Sequence, residues 1–248
     1  MHYRQFLHPK SGCASYLLGC GRAGAAAAID PVGPVEPFLQ EAEGAGCRIT
    51  HVIETHAHAD HRSSARELAE AAGADLYMYR GMPARFPFKP LDNEEELNVG
   101  SVHLRILHTP GHTPDSVSLI VEDRARVSEP WFVLTGDTLM VGDVGRPDLT
   151  LEDGTSVLDQ ARALHASLFE KILPLGDALE IHPAHFGNSP CGGQNMSRKP
   201  FSTIGYERRF NLALQLPSPE AFGRFVLSTL RPQPENFRRI KRDNLGWE

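Results

Sequence analysis

Cysteine is scarce in this chain: Cys13, Cys20, Cys47 and Cys191 are the four in 248 residues, and no two form a C-x-x-C pair. That scatter excludes a disulfide framework or a zinc ribbon and fits free thiols in a reducing compartment. No apolar run approaches the roughly 20 residues that a membrane-spanning helix needs, and Met1 to Arg4 lead into no long apolar segment of the secretory kind. A cytoplasmic protein with no membrane contact is expected. Positive charge is also in deficit: the formal net charge of -6 argues against a nucleic-acid partner. There is no internal repeat and no low-complexity tract beyond residues 24–28.

Histidine, by contrast, is plentiful at twelve residues, and the grouping matters more than the number. Thr55-His56-Ala57-His58-Ala59-Asp60-His61 places three imidazoles and a carboxylate in one short stretch, and neutral imidazole and carboxylate are the usual ligands of zinc and ferrous iron. Residues 48–54 before it carry Ile49, Val52 and Ile53 and read as a short buried strand. Residues 63–72 after it are rich in Ala and Glu, stop at Gly73, and read as a helix with a glycine terminus. On such a strand-to-helix turn, His56 and His58 can turn toward one cation while Asp60 and His61 face a position beside it. A surface loop rich in histidine is the plainer reading, and the H-x-H-x-D-H spacing is far more specific than that.

The same arrangement, a polar side chain just past an apolar strand, recurs along the chain. Strands are expected at 16–18, 25–29, 76–79, 102–106, 117–121, 131–134 and 178–181; helices are expected at 35–42, at 157–172 and after the Ser218-Pro219 cap. Three of the strands lead into Thr109-Pro110-Gly111-His112-Thr113, Thr135-Gly136-Asp137-Thr138 and His182-Pro183-Ala184-His185. One edge of a sheet sandwich would then gather His56, His58, Asp60, His61, His112, Asp137 and His185, with functional groups on loops over a rigid sheet. Residues 80–98 read as a solvated connection and the basic tail 237–242 as a solvated end. The length and the 41% hydrophobic content allow a sizeable core.

Those four motifs, in this order, resemble the metallo-β-lactamase superfamily over most of residues 10–190. The resemblance implies an α/β fold, a four-layer αββα sandwich with the metal site along one edge, comprising a catalytic core at 1–189 and a C-terminal extension at 190–248 that packs over it. Val144-Gly145-Arg146-Pro147-Asp148-Leu149 resembles the Gly-Arg-x-Asp element of the persulfide dioxygenases. Ser189-Pro190-Cys191-Gly192 and Ser202-Thr203-Ile204-Gly205-Tyr206-Glu207 are similar to the dioxygenase half of bacterial enzymes fused to a rhodanese, a domain for which this chain has no room.

This branch implies one Fe(II) per chain on His56, His112 and Asp137, oxidising the sulfane sulfur of a thiol persulfide such as glutathione persulfide with O2, to sulfite and thiol. Two histidines and a carboxylate leave positions open on the ion, and zinc has no accessible redox change. The expected partners are the persulfide, O2 and a separate rhodanese, and the expected assembly is a homodimer. The superfamily also contains binuclear zinc hydrolases of the glyoxalase II type. In that reading His56, His58 and His112 hold one Zn, Asp60, His61 and His185 the other, and Asp137 bridges, for attack on a glutathione thioester. The ligand list fits both, and the segments around Arg146 and Cys191 favour the dioxygenase. Nucleases of the same fold usually add a nucleic-acid-binding domain, and neither such an insert nor a basic face is evident.

Several residues carry two readings each. If not ligands, His58, Asp60, His61 and His185 would hydrogen-bond the ligands and fix their tautomers. Arg146 either grips a substrate carboxylate through its planar fork or pairs with Asp143 or Asp148. Cys191 either approaches the metal edge and carries a transient persulfide or is a small buried hydrophobe. Tyr206, with Arg208 and Arg209, either lines the substrate pocket or makes packing contacts. His51, His103, His108, His165 and His182 are assigned structural roles.

Overall fold

The computed structural model describes residues 1–149 and 156–247. The first half runs β1 (His2–His8), β2 (Cys13–Cys20), β3 (Ala25–Ile29), α1 (Glu36–Gly44), β4 (Arg48–Ile53), α2 (Ala65–Ala72), β5 (Asp75–Tyr79) and β6 (Lys89–Leu91). Its six strands form one sheet in sequence order, antiparallel from β1 to β3 and parallel from β3 to β6. The second half begins with β7 (Glu96–Val99), β8 (Val102–His108), β9 (Val117–Asp123) and β10 (Pro130–Gly136), followed by a small hairpin of β11 (Leu139–Met140) and β12 (Asp143–Val144). It continues through α3 (Val157–Ala166), β13 (Glu180–Pro183), β14 (Ser202–Thr203), α4 (Ile204–Phe210), α5 (Pro219–Ser228) and α6 (Phe237–Asn244). The second sheet has the order β14-β13-β10-β9-β8-β7.

Because side chains alternate across a strand, each sheet feeds two apolar layers. Between the sheets, Tyr16, Leu18, Ile29 and Ile53 of the first meet Leu104, Ile106, Leu119 and Leu134 of the second. On the outer faces, Ile49 and Val52 pack under Phe38 of α1 and Leu68 of α2, while Ile120, Val133 and Ile181 pack under Leu164 of α3 and Phe222 of α5. The result is the αββα sandwich. Each buried Leu, Ile or Val contributes about 1.5–3 kcal/mol, and strands buried on both faces read as unbroken apolar runs.

Two expectations change. Residues 80–98 are not only a solvated connection: they supply the edge strands β6 and β7, and Pro90 is tolerated because an edge strand needs no second ladder. The tail is not a solvated end but the helix α6. Phe237, Lys241 and Leu245 recur every fourth residue and are buried, while Arg238, Arg239 and Arg242 take the other positions. After Gly187 the chain thus returns to the core: β14 extends the second sheet, α5 lies on α3, and Leu245 joins the apolar layer of α1 and α2.

Candidate metal centre

The centre begins where β3 and β4 end side by side. Asp30, held at φ +48° where few residues other than glycine sit, accepts from Thr55 N (2.7 Å) and Thr55 Oγ1 (2.8 Å), and Asp115 accepts from Ala57 N (2.7 Å). These bonds fix the loop that carries His56. The hydroxyl proton of Thr55 goes to Asp30, so its oxygen accepts from His56 Nδ1–H at 2.9 Å, leaving Nε2 as a bare lone pair. His112, just past β8, donates Nδ1–H to the Arg146 carbonyl at 2.8 Å, and its Nε2 is likewise bare. Asp137 follows β10.

The three ligand atoms converge. Asp137 Oδ2 lies 3.6 Å from His56 Nε2 and 3.3 Å from His112 Nε2, and among the described residues neither nitrogen has a hydrogen-bond partner although all three side chains are buried. Buried lone pairs without a donor are costly, and two aimed at one point beside a carboxylate oxygen are satisfied by a cation. Burial lowers both histidines, His56 further through the neighbouring imidazoles, so both are neutral. Burial would raise Asp137, but the charge and hydrogen bond of His185 outweigh it and hold the carboxylate below its usual range. Two neutral imidazoles and an ionised carboxylate fit a divalent metal.

A second cluster adjoins the first. His185 Nδ1 donates to Asp137 (2.8 Å), while its Nε2 lies 2.9 Å from Asp60, which in turn lies 3.0 Å from His61 Nδ1. Cys13, at the start of β2, completes this group, with Sγ 3.7 Å from both Asp60 and His61. Burial pushes the Cys13 thiol up, but the imidazoles of His185 and His61 bring it down to about 6. Nothing in the motif spacing flagged Cys13; the bridge between its backbone and that of His185 brings it there.

His58 departs from the expected arrangement. Its Nε2 is 3.3 Å from Asp30 Oδ1 and 3.3 Å from Glu54 Oε2, in a separate buried cluster, although its ring centroid is 4.1 Å from that of His56. Burial opposes its protonation, but Glu54 and Asp30 raise it well above the usual imidazole value. A cavity of about 540 Å³ reaches this cluster, lined by Glu54, His58, Ser63, Arg66, Met82 and Asn244 but by none of His56, His112 and Asp137.

Of the expected substrate contacts, Arg146 is corrected. All five of its N–H donors are engaged: two with Asp148 (2.6 and 2.9 Å), the others with the carbonyls of Pro190, Arg231 and Pro232. No fork remains for a substrate; the residue ties the turn after β12 to the chain beyond Ser189, and its own carbonyl orients His112. Gly145 before it has no room for a side chain, because a Cβ there would lie 2.0 Å from the Asp137 carbonyl. Cys191 does approach Asp137 and His185, fully buried, and burial pushes its thiol well above the usual range. Tyr206 is 57% exposed on α4 with its ring against Phe210, on the surface rather than at the metal edge.

The model of the metallo-β-lactamase superfamily matches residues 9–185. The chain belongs to this superfamily. It is an enzyme of that family with a metal cofactor. The human mitochondrial persulfide dioxygenase ETHE1 is 30% identical over 94% of this chain and 83% of its own. A hydroxyacylglutathione hydrolase of Anaeromyxobacter dehalogenans is 37% identical, over 69% of this chain and 60% of its own. The crystal structure of ETHE1 from Myxococcus xanthus, 27% identical, superposes with a TM-score of 0.83 and covers both chains completely. Among the described residues no helix is long and apolar enough to cross a membrane.

Proposed function

We propose that this chain is a persulfide dioxygenase with one ferrous ion on His56, His112 and Asp137. It converts a thiol persulfide, O2 and water to the thiol and sulfite. The observation that carries this reading is the engagement of His58 with Asp30 and Glu54, which leaves a ligand set of two imidazoles and one carboxylate instead of three imidazoles. Such a set leaves coordination positions open and suits non-haem iron. Iron, when bound, supplies the redox chemistry that O2 activation requires. Thr55 and the Arg146 carbonyl hold the two imidazoles in the tautomer that offers Nε2. His185 keeps Asp137 ionised, and the buried setting of all three ligands limits water around a reactive sulfur. The likeness to persulfide dioxygenases along nearly the whole chain supports the same reading.

Thioester hydrolysis on two zinc ions is the second reading, favoured by the Asp60, His61 and His185 cluster and by the hydroxyacylglutathione hydrolase match. It needs His58 on the first ion, where His58 does not point. The test is metal analysis after anaerobic purification, read with O2 uptake on addition of glutathione persulfide. About one iron per chain with sulfite release is expected. About two zinc per chain, thioester hydrolysis and no O2 uptake would sink the proposal.

A further inference from the structure

The H-x-H spacing should present His56 and His58 to the same cation, and only His56 is so presented. The residues that hold His58 aside are named by geometry. Asp30 contributes, its Oδ1 lying 3.3 Å from His58 Nε2, but both its oxygens also accept from Thr55 and fix the loop that carries His56, so it serves the site whatever His58 does. Glu54 is different. One of its oxygens accepts from Ser63 Oγ (2.5 Å), and the other lies 3.3 Å from His58 Nε2. Ser63 is itself braced, its N–H donating to Asn244 Oδ1 at 3.0 Å. The Glu54 side chain is 3% exposed, and its carboxylate belongs to none of the apolar layers of the αββα core.

We propose that Glu54 is a positioning residue for metal choice: braced by Ser63, its carboxylate anchors the His58 imidazole away from the metal, so that the centre keeps two imidazoles and a carboxylate and retains iron over zinc. This rests on the iron reading for its direction. Affinity alone does not favour iron, because in a given nitrogen and oxygen site Zn(II) binds more tightly than Fe(II), so discrimination must come from ligand type and geometry. Three imidazoles with one open position make a zinc site. Two imidazoles and a carboxylate with several open positions suit a six-coordinate iron. With the anchor gone, the His58 ring, already in contact with that of His56, can turn its nitrogen toward the ion.

The test replaces Glu54 by an apolar residue of similar size, Glu54→Leu, alongside Glu54→Gln, which keeps an acceptor. Metal-free protein is offered equal Fe(II) and Zn(II) under anaerobic conditions, and the bound metals are measured by elemental analysis. X-ray absorption of the zinc-loaded forms counts imidazole ligands. In Glu54→Leu the zinc-to-iron ratio should rise about tenfold or more and one further imidazole should appear on zinc. Glu54→Gln should stay near wild type, and Glu54→Leu/His58→Ala should lose the shift. Equal partition in wild type and Glu54→Leu would overturn the proposal, as would a shift that survives removal of His58. The readout is a difference between variants, so a wild type that bound only zinc and consumed no O2 would refute the dioxygenase while the added zinc imidazole would still report on Glu54.

Discussion

Of the two tasks that the sequence left open for Arg146, the structure shows the ion pair with Asp148, and the chemistry of the residue is that of a clamp. Removing Asp148 would leave the guanidinium buried without its carboxylate, so Asp148→Ala should destabilise the fold by about 3 kcal/mol at neutral pH, measured by urea unfolding. Burial works against the Asp148 charge, but the Arg146 hydrogen bonds outweigh it and hold the carboxyl below its usual range. A lowered carboxyl contributes stability that is fully present above the unfolded value of about 3.9 and is lost as pH falls through the folded value. The gap between wild type and Asp148→Ala should therefore narrow below about pH 4. Gly145→Ala should cost metal as well as stability, because the Asp137 backbone would have to retreat; metal-to-protein ratio checks it. At this scale the convergence of His56, His112 and Asp137 was legible because each follows an apolar strand. The direction of His58 was not, since alternation along a strand says which side a residue starts on and not which carboxylate captures it. Cys13 was illegible because its neighbours lie far away in sequence.

The helix α6 holds the histidine loop from outside. Asn244 donates to the carbonyls of His58 and His61, both at 2.9 Å, and accepts from Ser63 N. Asn244→Ala deletes these three bonds and leaves buried backbone groups without partners, at about 1–3 kcal/mol. Faster loss of metal to a chelator, with little change in the far-ultraviolet circular dichroism, is the expected result. The sequence offered α6 as a basic tail because its arginines dominate the composition. The four-residue recurrence of Phe237, Lys241 and Leu245 carried the helix and was masked by a lysine that buries its stem. By contrast β4, α2 and β8 to β10 were read to within two residues at each end, since β8 alternates apolar with polar residues, β9 and β10 carry apolar runs, and Gly73, at φ +62°, ends its helix as a glycine should. The edge strands β1, β6 and β7 escaped notice because one side of each has nothing to pair with and their sequences carry charge and proline.

Across the whole molecule, the centre spans both sheets: His56 follows a strand of the first, and His112 and Asp137 follow strands of the second. A bound ion therefore staples the two halves of the sandwich. Removing it should lower the melting temperature by an amount that depends on metal concentration, and scanning calorimetry with and without added Fe(II) measures this; an unchanged transition would contradict the arrangement. Truncating the inter-sheet core at Leu104→Ala should cost about 2–5 kcal/mol without altering which metal binds. The clamp and the α6 brace also impose a timetable. During translation the last of the three converging residues, Asp137, emerges well before Arg231, Pro232 and Asn244, which steady the loops behind it. At about 5–20 residues per second this interval lasts about 5–20 s. Throughout it the growing chain displays donors whose spacing nothing yet enforces, and such loose donors favour zinc or copper over iron. On the proposed iron reading, discrimination in favour of iron begins only once the clamp and α6 have docked.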